Sequence, residues 1–205
     1  MGFSDGTRCD RPDLLRNSQA QIRRAAFLLL LEHARPTTAE QIAGVAGFGP
    51  RRAERLLDEL HRLGRIRRNE SGAIVGSAGL SVLPDRHEID LDGRRFWTWC
   101  AYDITGIFRA LGANGHARSP SPTGQTIKLQ FRRGLPQQSS AVLFRPDDEL
   151  LATCPNVYED WCANSNLFTD ALSAHSWAEE RRLRGRIMSL LEASDLGTLE
   201  WSDVV

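Results

Sequence analysis

From Asn17 onward apolar residues recur at three- and four-residue spacing, with Ile22, Ala25, Ala26, Leu29 and Leu30 falling on one side of the chain. That period predicts a helix with one buried face, capped by Asn17 or Ser18 and stopped by Pro36. Thr37-Thr38-Ala39-Glu40 then reads as a capping box, the Thr37 hydroxyl accepting from the Glu40 amide while the carboxylate reaches back, and opens a short helix to about Ala46. After the Gly47-Phe48-Gly49 turn, Pro50 starts a helix whose apolar face is Ala53, Leu56, Leu57, Leu60 and Leu63, ending at Gly64. Two helices across a glycine turn, followed by a hairpin over 65–68 and 73–76, predict a winged helix-turn-helix-like domain over residues 17–84. Residues 1–16 carry no period and are expected to form a flexible tail.

The second half changes character. Residues 87–91 and 94–97 alternate around Asp92-Gly93 as a hairpin, 101–111 is a short helix, and 126–131 and 141–144 are strands. Residues 147–155 fit either state, and 157–164 fits a helix. A helix is expected over 176–193, with Trp177, Leu183, Ile187, Leu190 and Leu191 facing inward. The expected fold class is therefore α+β, with the winged-helix-like helical domain packed on a mixed helix and strand domain over residues 85–205.

Composition narrows the partners. The chain has 205 residues, 41% hydrophobic and 25% charged, enough for one large domain or two small ones sharing a core. With 26 basic residues against 26 acidic ones, it is no polycation built to coat nucleic acid or membrane. The start of the chain lacks the apolar stretch of a signal peptide and no long apolar run follows, so a cytoplasmic protein without a membrane partner is expected. Lys128 is the sole lysine, an arginine bias that a GC-rich bacterial coding genome produces. Cys9, Cys100, Cys154 and Cys162 include no Cys-x-x-Cys and read as free thiols. The five histidines lack zinc-ligand spacing, and neither a phosphate loop nor Gly-x-Ser-x-Gly occurs, so no cofactor is expected.

Two stretches carry candidate chemistry. Between Arg51 and Arg68 seven arginines face three acids. Arg51, Arg52 and Arg55 at a helix start and Arg67 and Arg68 on the hairpin could contact DNA phosphates, the alternative being local pairs such as Arg55 with Glu59. The other stretch is Arg94-Arg95-Phe96-Trp97-Thr98-Trp99-Cys100-Ala101-Tyr102-Asp103, with a cysteine at a strand-to-helix junction and an aspartate three residues on. The amides and dipole at a helix start stabilise a thiolate, which would make Cys100 the most reactive of the thiols. Asp103 shares its side of the helix. Soft sulfur beside a proton-carrying carboxyl suits cleavage of a carbon to soft-metal bond; a buried cysteine with a capping aspartate is the structural alternative.

Around this stretch the chain resembles the organomercurial (alkylmercury) lyases. The resemblance runs from about residue 17 to residue 190, through Ala34-Arg35-Pro36-Thr37-Thr38, Asn69-Glu70-Ser71-Gly72-Ala73-Ile74-Val75-Gly76 and Glu88-Ile89-Asp90-Leu91-Asp92-Gly93-Arg94-Arg95. It continues into Trp97-Thr98-Trp99-Cys100-Ala101-Tyr102-Asp103, which matches the family's Trp-Cys-Ala-x-Asp, and Glu159-Asp160-Trp161 looks like its Glu-Asp-Trp. The resemblance implies a winged-helix-like domain on a mixed catalytic domain, and two cysteines with an aspartate that take up mercury and protonate the carbon. Cys100 would match the first cysteine and Asp103 the aspartate.

The family's second cysteine lies about a dozen residues before Glu-Asp-Trp, and counting back from Glu159 reaches Pro146 and Asp147, where no thiol stands. Ser119-Pro120-Ser121-Pro122 likewise occupies the place of a further family cysteine. Cys154 is therefore the expected second catalytic thiol and metal ligand, with Cys162 a packing residue and Cys9 an adventitious ligand. The expected function is lyase-like, thiolate attack and protonation of a leaving carbon on an organomercurial or another small molecule, with cellular thiols removing the metal. The alternative is a DNA-binding regulator sensing a metal or ligand through Cys100. With its second thiol displaced, the protein is expected to cleave methylmercury weakly while still binding mercurials through Cys100.

Overall fold

The computed structural model describes residues 11–204, with side chains from Asn17 onward. Helix α1 (Arg11–His33) buries the expected stripe, with Ile22, Ala26, Phe27 and Leu30 fully enclosed. It starts at Arg11, within the stretch expected to be a tail, and Pro12 is compatible with a first helical turn. Cys9 and the rest of 1–10 lie outside the described residues. The cap of α2 (Ala39–Ala46) sits one residue later than expected. Thr37 is drawn into a β-bridge with Ile74, its N–H donating to the Ile74 carbonyl at 2.9 Å and its carbonyl accepting from Ile74 at 2.8 Å. Thr38 is thereby left as the cap, in a reciprocal box with Gln41. Helix α3 (Pro50–Arg62) follows.

Eight strands form one antiparallel sheet: β1 (Ile66–Arg68), β2 (Ile74–Ser77), β3 (Leu80–Ser81), β4 (His87–Leu91), β5 (Arg94–Thr98), β6 (Gly115–Pro120), β7 (Thr126–Arg132) and β8 (Leu135–Pro136). Their spatial order is β1-β2-β3-β5-β4-β6-β7-β8. The β1–β2 hairpin is no separate appendage, because β2 pairs with β3 and β3 with β5, so the sheet passes residue 84 unbroken. Strand β6 had no expectation attached. Its inward positions are Ala117 and Ser119, too small and polar for the two-residue alternation to read as apolar.

Helix α4 (Ala101–Leu111) runs through the centre, buried at every position from Ala101 to Phe108, with Phe108 stacked on Phe131 at 4.0 Å. A second antiparallel sheet orders β9 (Val142–Pro146), β10 (Asn166–Phe168) and β11 (Gly185–Ser189) as β10-β9-β11. The helix expected over 176–193 is not continuous: α6 (Ala171–Glu180) ends, β11 intervenes, and α7 (Leu190–Glu200) begins. Residues 185–189 pair along the whole of β9, and that ladder outweighs a helical spacing of Leu183, Ile187 and Leu190. Leu191, expected inward, is exposed. Ser189 and Glu192 form the capping box that starts α7, a boundary signal visible in the sequence. Helix α7 packs on α4 where Gly197 meets Gly106, since a Cβ at Gly197 would lie 2.7 Å from the Gly106 Cα. The result is the α+β class expected, with helices preceding a sheet-containing domain.

Candidate active site

Strand β5 ends at Thr98 and α4 begins at Ala101, which leaves Cys100 in extended conformation as the N-cap. Its N–H donates to Asp103 Oδ2 at 2.9 Å, so the carboxylate three residues on turns back over the helix start. Asp103 thus fills the capping role of the structural alternative and, by the same hydrogen bond, is held beside the thiol. Gly79 makes the room. It sits at φ +87°, and a Cβ there would overlap the Asp103 carboxyl.

The opposite side of the site is a tightly wound loop. Asn156 caps a π-helical turn over Val157–Trp161, accepting from the Glu159 N–H at 3.1 Å, while Asp160 accepts from the Asn156 N–H at 3.0 Å. A 3-10 turn over Cys162–Asn164 continues it, and the Ser165 carbonyl accepts from the Ala101 N–H at 3.1 Å, tying the loop to the start of α4. Single π turns recur at functional sites because the extra residue redirects the following side chains. Arg86 fastens the two sides together, donating to the Trp99 carbonyl at 3.1 Å and the Tyr158 carbonyl at 3.2 Å.

These constraints bring Cys100 Sγ, an Asp103 carboxyl oxygen and Cys162 Sγ within 4.8 Å of one another, all buried. The thiols are free. A cavity of about 210 Å³ reaches Asp103 and Cys162 between walls of Trp99, Tyr102, Trp161 and Trp201, and the fully buried Cys100 lies behind them. The residue expected as the second thiol is elsewhere. Cys154 ends α5 (Asp148–Thr153), half-buried, with its Sγ 3.8 Å from the Leu151 carbonyl, and it is not in the cluster. Cys162, read from sequence as packing, takes that place, and the position reached by counting back, Pro146, is the end of β9. The clustered thiol directly follows Glu159-Asp160-Trp161, whereas the sequence expectation looked for the second thiol ahead of that motif.

Burial governs the protonation states. It pushes the Asp103 carboxyl up to about 7, against the opposing bonds from the Cys100 side chain and backbone. The Cys100 thiol is pushed well above the ordinary range, first by burial and then by Cys162 and Asp103, with the Asp103 backbone N–H pulling the other way. This corrects the expectation of an activated thiolate: one helix-start amide does not offset full burial, so the resting thiol keeps its proton. Limiting iodoacetamide on the native protein should therefore label Cys154 before Cys100 and Cys162, as read by peptide mass mapping. Earlier labelling of Cys100 would restore the sequence expectation.

Comparison with known proteins reaches the same region. The family model described as alkylmercury lyase matches residues 80–201, more than half of the chain. The chain belongs to the alkylmercury lyase family. Curated alkylmercury lyases from Streptomyces lividans and Staphylococcus epidermidis are 29% and 26% identical over 178 and 177 residues. Those matches cover 83% of this chain in both cases, and 78% and 77% of the respective relatives. A crystal structure of the mercury-bound form of MerB2 superposes with a TM-score of 0.77 at 23% identity, covering 95% of this chain and 100% of that one, a likeness of fold.

In this alkylmercury lyase family member the arginines proposed for DNA are largely committed within the chain. Arg67 bonds Asp85 at 2.9 Å and lies over Tyr158, and Arg68 bonds Glu54 at 2.8 Å and Asp58 at 3.3 Å. Arg52 donates to Ser18 Oγ at 2.9 Å and stacks on Phe48, which leaves Arg51 and Arg55 as exposed cations at the start of α3. Among the described residues no helix is long and apolar enough to cross a membrane.

The turn at Gly79 gives a test of how tightly the carboxyl is held. Gly79→Ala combines a positive φ with overlap on Asp103, and is expected to cost roughly 1–3 kcal/mol and to impair turnover. Thermal unfolding and an activity assay on one sample check it. Unchanged stability would mean that the turn yields without disturbing the carboxyl.

Proposed function

We propose that the protein is an organomercurial lyase that cleaves the carbon–mercury bond by protonolysis, with Cys100 and Cys162 taking the metal and Asp103 delivering the proton. The observation that carries this reading is two thiols and a carboxyl within 4.8 Å at the end of a cavity. Mercury is soft, and two sulfurs are the donors it prefers. Mercury is here part of the substrate, and no resident cofactor is needed.

The cavity presents Cys162 and Asp103 first, so the organomercurial meets Cys162 and then Cys100 behind it. Each thiol gives up its proton as sulfur binds the metal, because coordination favours the thiolate even where burial disfavours it. The protonated Asp103 carboxyl gives its proton to the carbon as the bond to mercury breaks, and one of the thiol protons replaces it. The organic group leaves as R–H, the other proton goes to solvent, and Hg(II) remains on the two sulfurs for removal by cellular thiols. With a second thiol in place, the reason for expecting weak methylmercury cleavage is gone.

The purified protein, given phenylmercury and excess 2-mercaptoethanol, should release benzene over many turnovers, measured by headspace gas chromatography. Stoichiometric mercury binding without benzene would sink the lyase reading.

A further inference from the structure

The catalytic cavity holds two arginines that the lyase chemistry does not use. Arg23, in the middle of α1, and Arg65, just after α3, line it on the side of the N-terminal helices. Both are half-buried, and among the described residues neither guanidinium makes a hydrogen bond or a salt bridge. The Arg23 Nε is fully enclosed with no acceptor. The acids of the cavity are already engaged: Glu200 bonds Arg145 at 2.8 Å, and Asp103 accepts from the Cys100 N–H. Burial and the nearby Arg65 charge lower Arg23 to about 10, outweighing the pull of Asp103 and Asp203.

An enclosed guanidinium N–H without an acceptor is costly, and a second like charge nearby adds repulsion. Both are relieved by one anion with two oxygens, for which the planar guanidinium is well shaped. A bare organomercury cation would be repelled by the same pair. We propose that Arg23 and Arg65 form a carboxylate-binding subsite, and that the preferred substrate carries a carboxylate either on its organic group or on the thiol bound to its mercury. The substrate part of this proposal rests on the lyase reading; the anion subsite does not.

Two matched comparisons test it on the wild-type protein. In one, 4-(hydroxymercuri)benzoate is compared with phenylmercury, both in 2-mercaptoethanol. In the other, phenylmercury is compared in mercaptoacetate and in 2-mercaptoethanol. The carboxylate should raise kcat/KM by roughly 10-fold in at least one comparison, the scale of a charge-assisted hydrogen bond, and the responding comparison identifies the source. Arg65→Gln and Arg23→Gln should bring that ratio towards one. A ratio near one in both comparisons for the wild type, or a preference that survives both substitutions, would overturn the proposal. Benzoate, titrated against tryptophan fluorescence, separates this from the lyase reading. Benzoate binding weakened by Arg65→Gln with no organomercurial turned over would keep the subsite and fail the lyase. Cleavage of phenylmercury with neither benzoate binding nor a carboxylate preference would do the reverse.

Discussion

Replacing Cys162 by serine is expected to drop release of the organic group to the uncatalysed rate, whereas Cys154→Ser leaves it essentially unchanged. A serine hydroxyl is hard and stays protonated at neutral pH, so Cys162→Ser leaves the metal a single protein sulfur, and nothing donates to mercury as its bond to carbon weakens. Cys154 has no such part, since its sulfur rests at the Leu151 carbonyl, outside the cluster. Headspace analysis of benzene from phenylmercury separates the variants, and circular dichroism confirms that the buried serine is accommodated. The reverse pattern, with Cys154→Ser inactive and Cys162→Ser active, would return the second thiol to the position read from the sequence.

The second large effect is at Asp103. Asp103→Asn should lose roughly 10²–10⁴ in turnover while still binding mercurials, the range for removal of a general acid. In the wild type the carboxyl must hold a proton, so with its pKa at about 7 the rate should fall as pH rises through that value. Stability gives an independent check. The folded carboxyl titrates at about 7 and the unfolded one at 3.8, so between these values the folded state binds more protons. The stabilisation from the buried, protonated carboxyl is complete below pH 3.8 and is lost as pH rises to about 7, on the order of 4 kcal/mol in all. Asparagine does not ionise, and its amide oxygen can still accept from the Cys100 N–H. Asp103→Asn should therefore melt at least as high as the wild type at pH 8, yet be inactive. A variant that unfolds at pH 8 would assign Asp103 to capping alone; one that is stable and fully active would remove it from the chemistry.

Much of this was legible along the chain because the signals are local. The stripe of α1, the glycine turn before Pro50, the hairpin around Asp92-Gly93 and the bounds of α4 rest on periodicity and turn chemistry within a few residues. Cys100 with Asp103 is of the same kind, since an N-cap and its N3 residue are joined by one turn of helix. Elements decided by distant partners are not legible from their own residues. Strand β11 reads locally as helix because its pairing partner, β9, lies about forty residues away, and the α2 cap falls one residue later than its local signal because Ile74 captures Thr37.

The amino-acid sequence by itself determined the fold class, the family and the first half of the candidate site, a thiol and an acid on one helix turn. Only the tertiary structure sets Cys162, and not Cys154, beside Cys100 and Asp103. Cys154 and Cys162 are similar in the sequence, and what separates them is a π turn, an Ala101–Ser165 hydrogen bond and the clamp of Arg86 on Trp99 and Tyr158. The protonation states were decided there too. A helix start predicts a low thiol pKa from neighbouring amides alone, but burial depends on everything packed around the site, and here burial dominates.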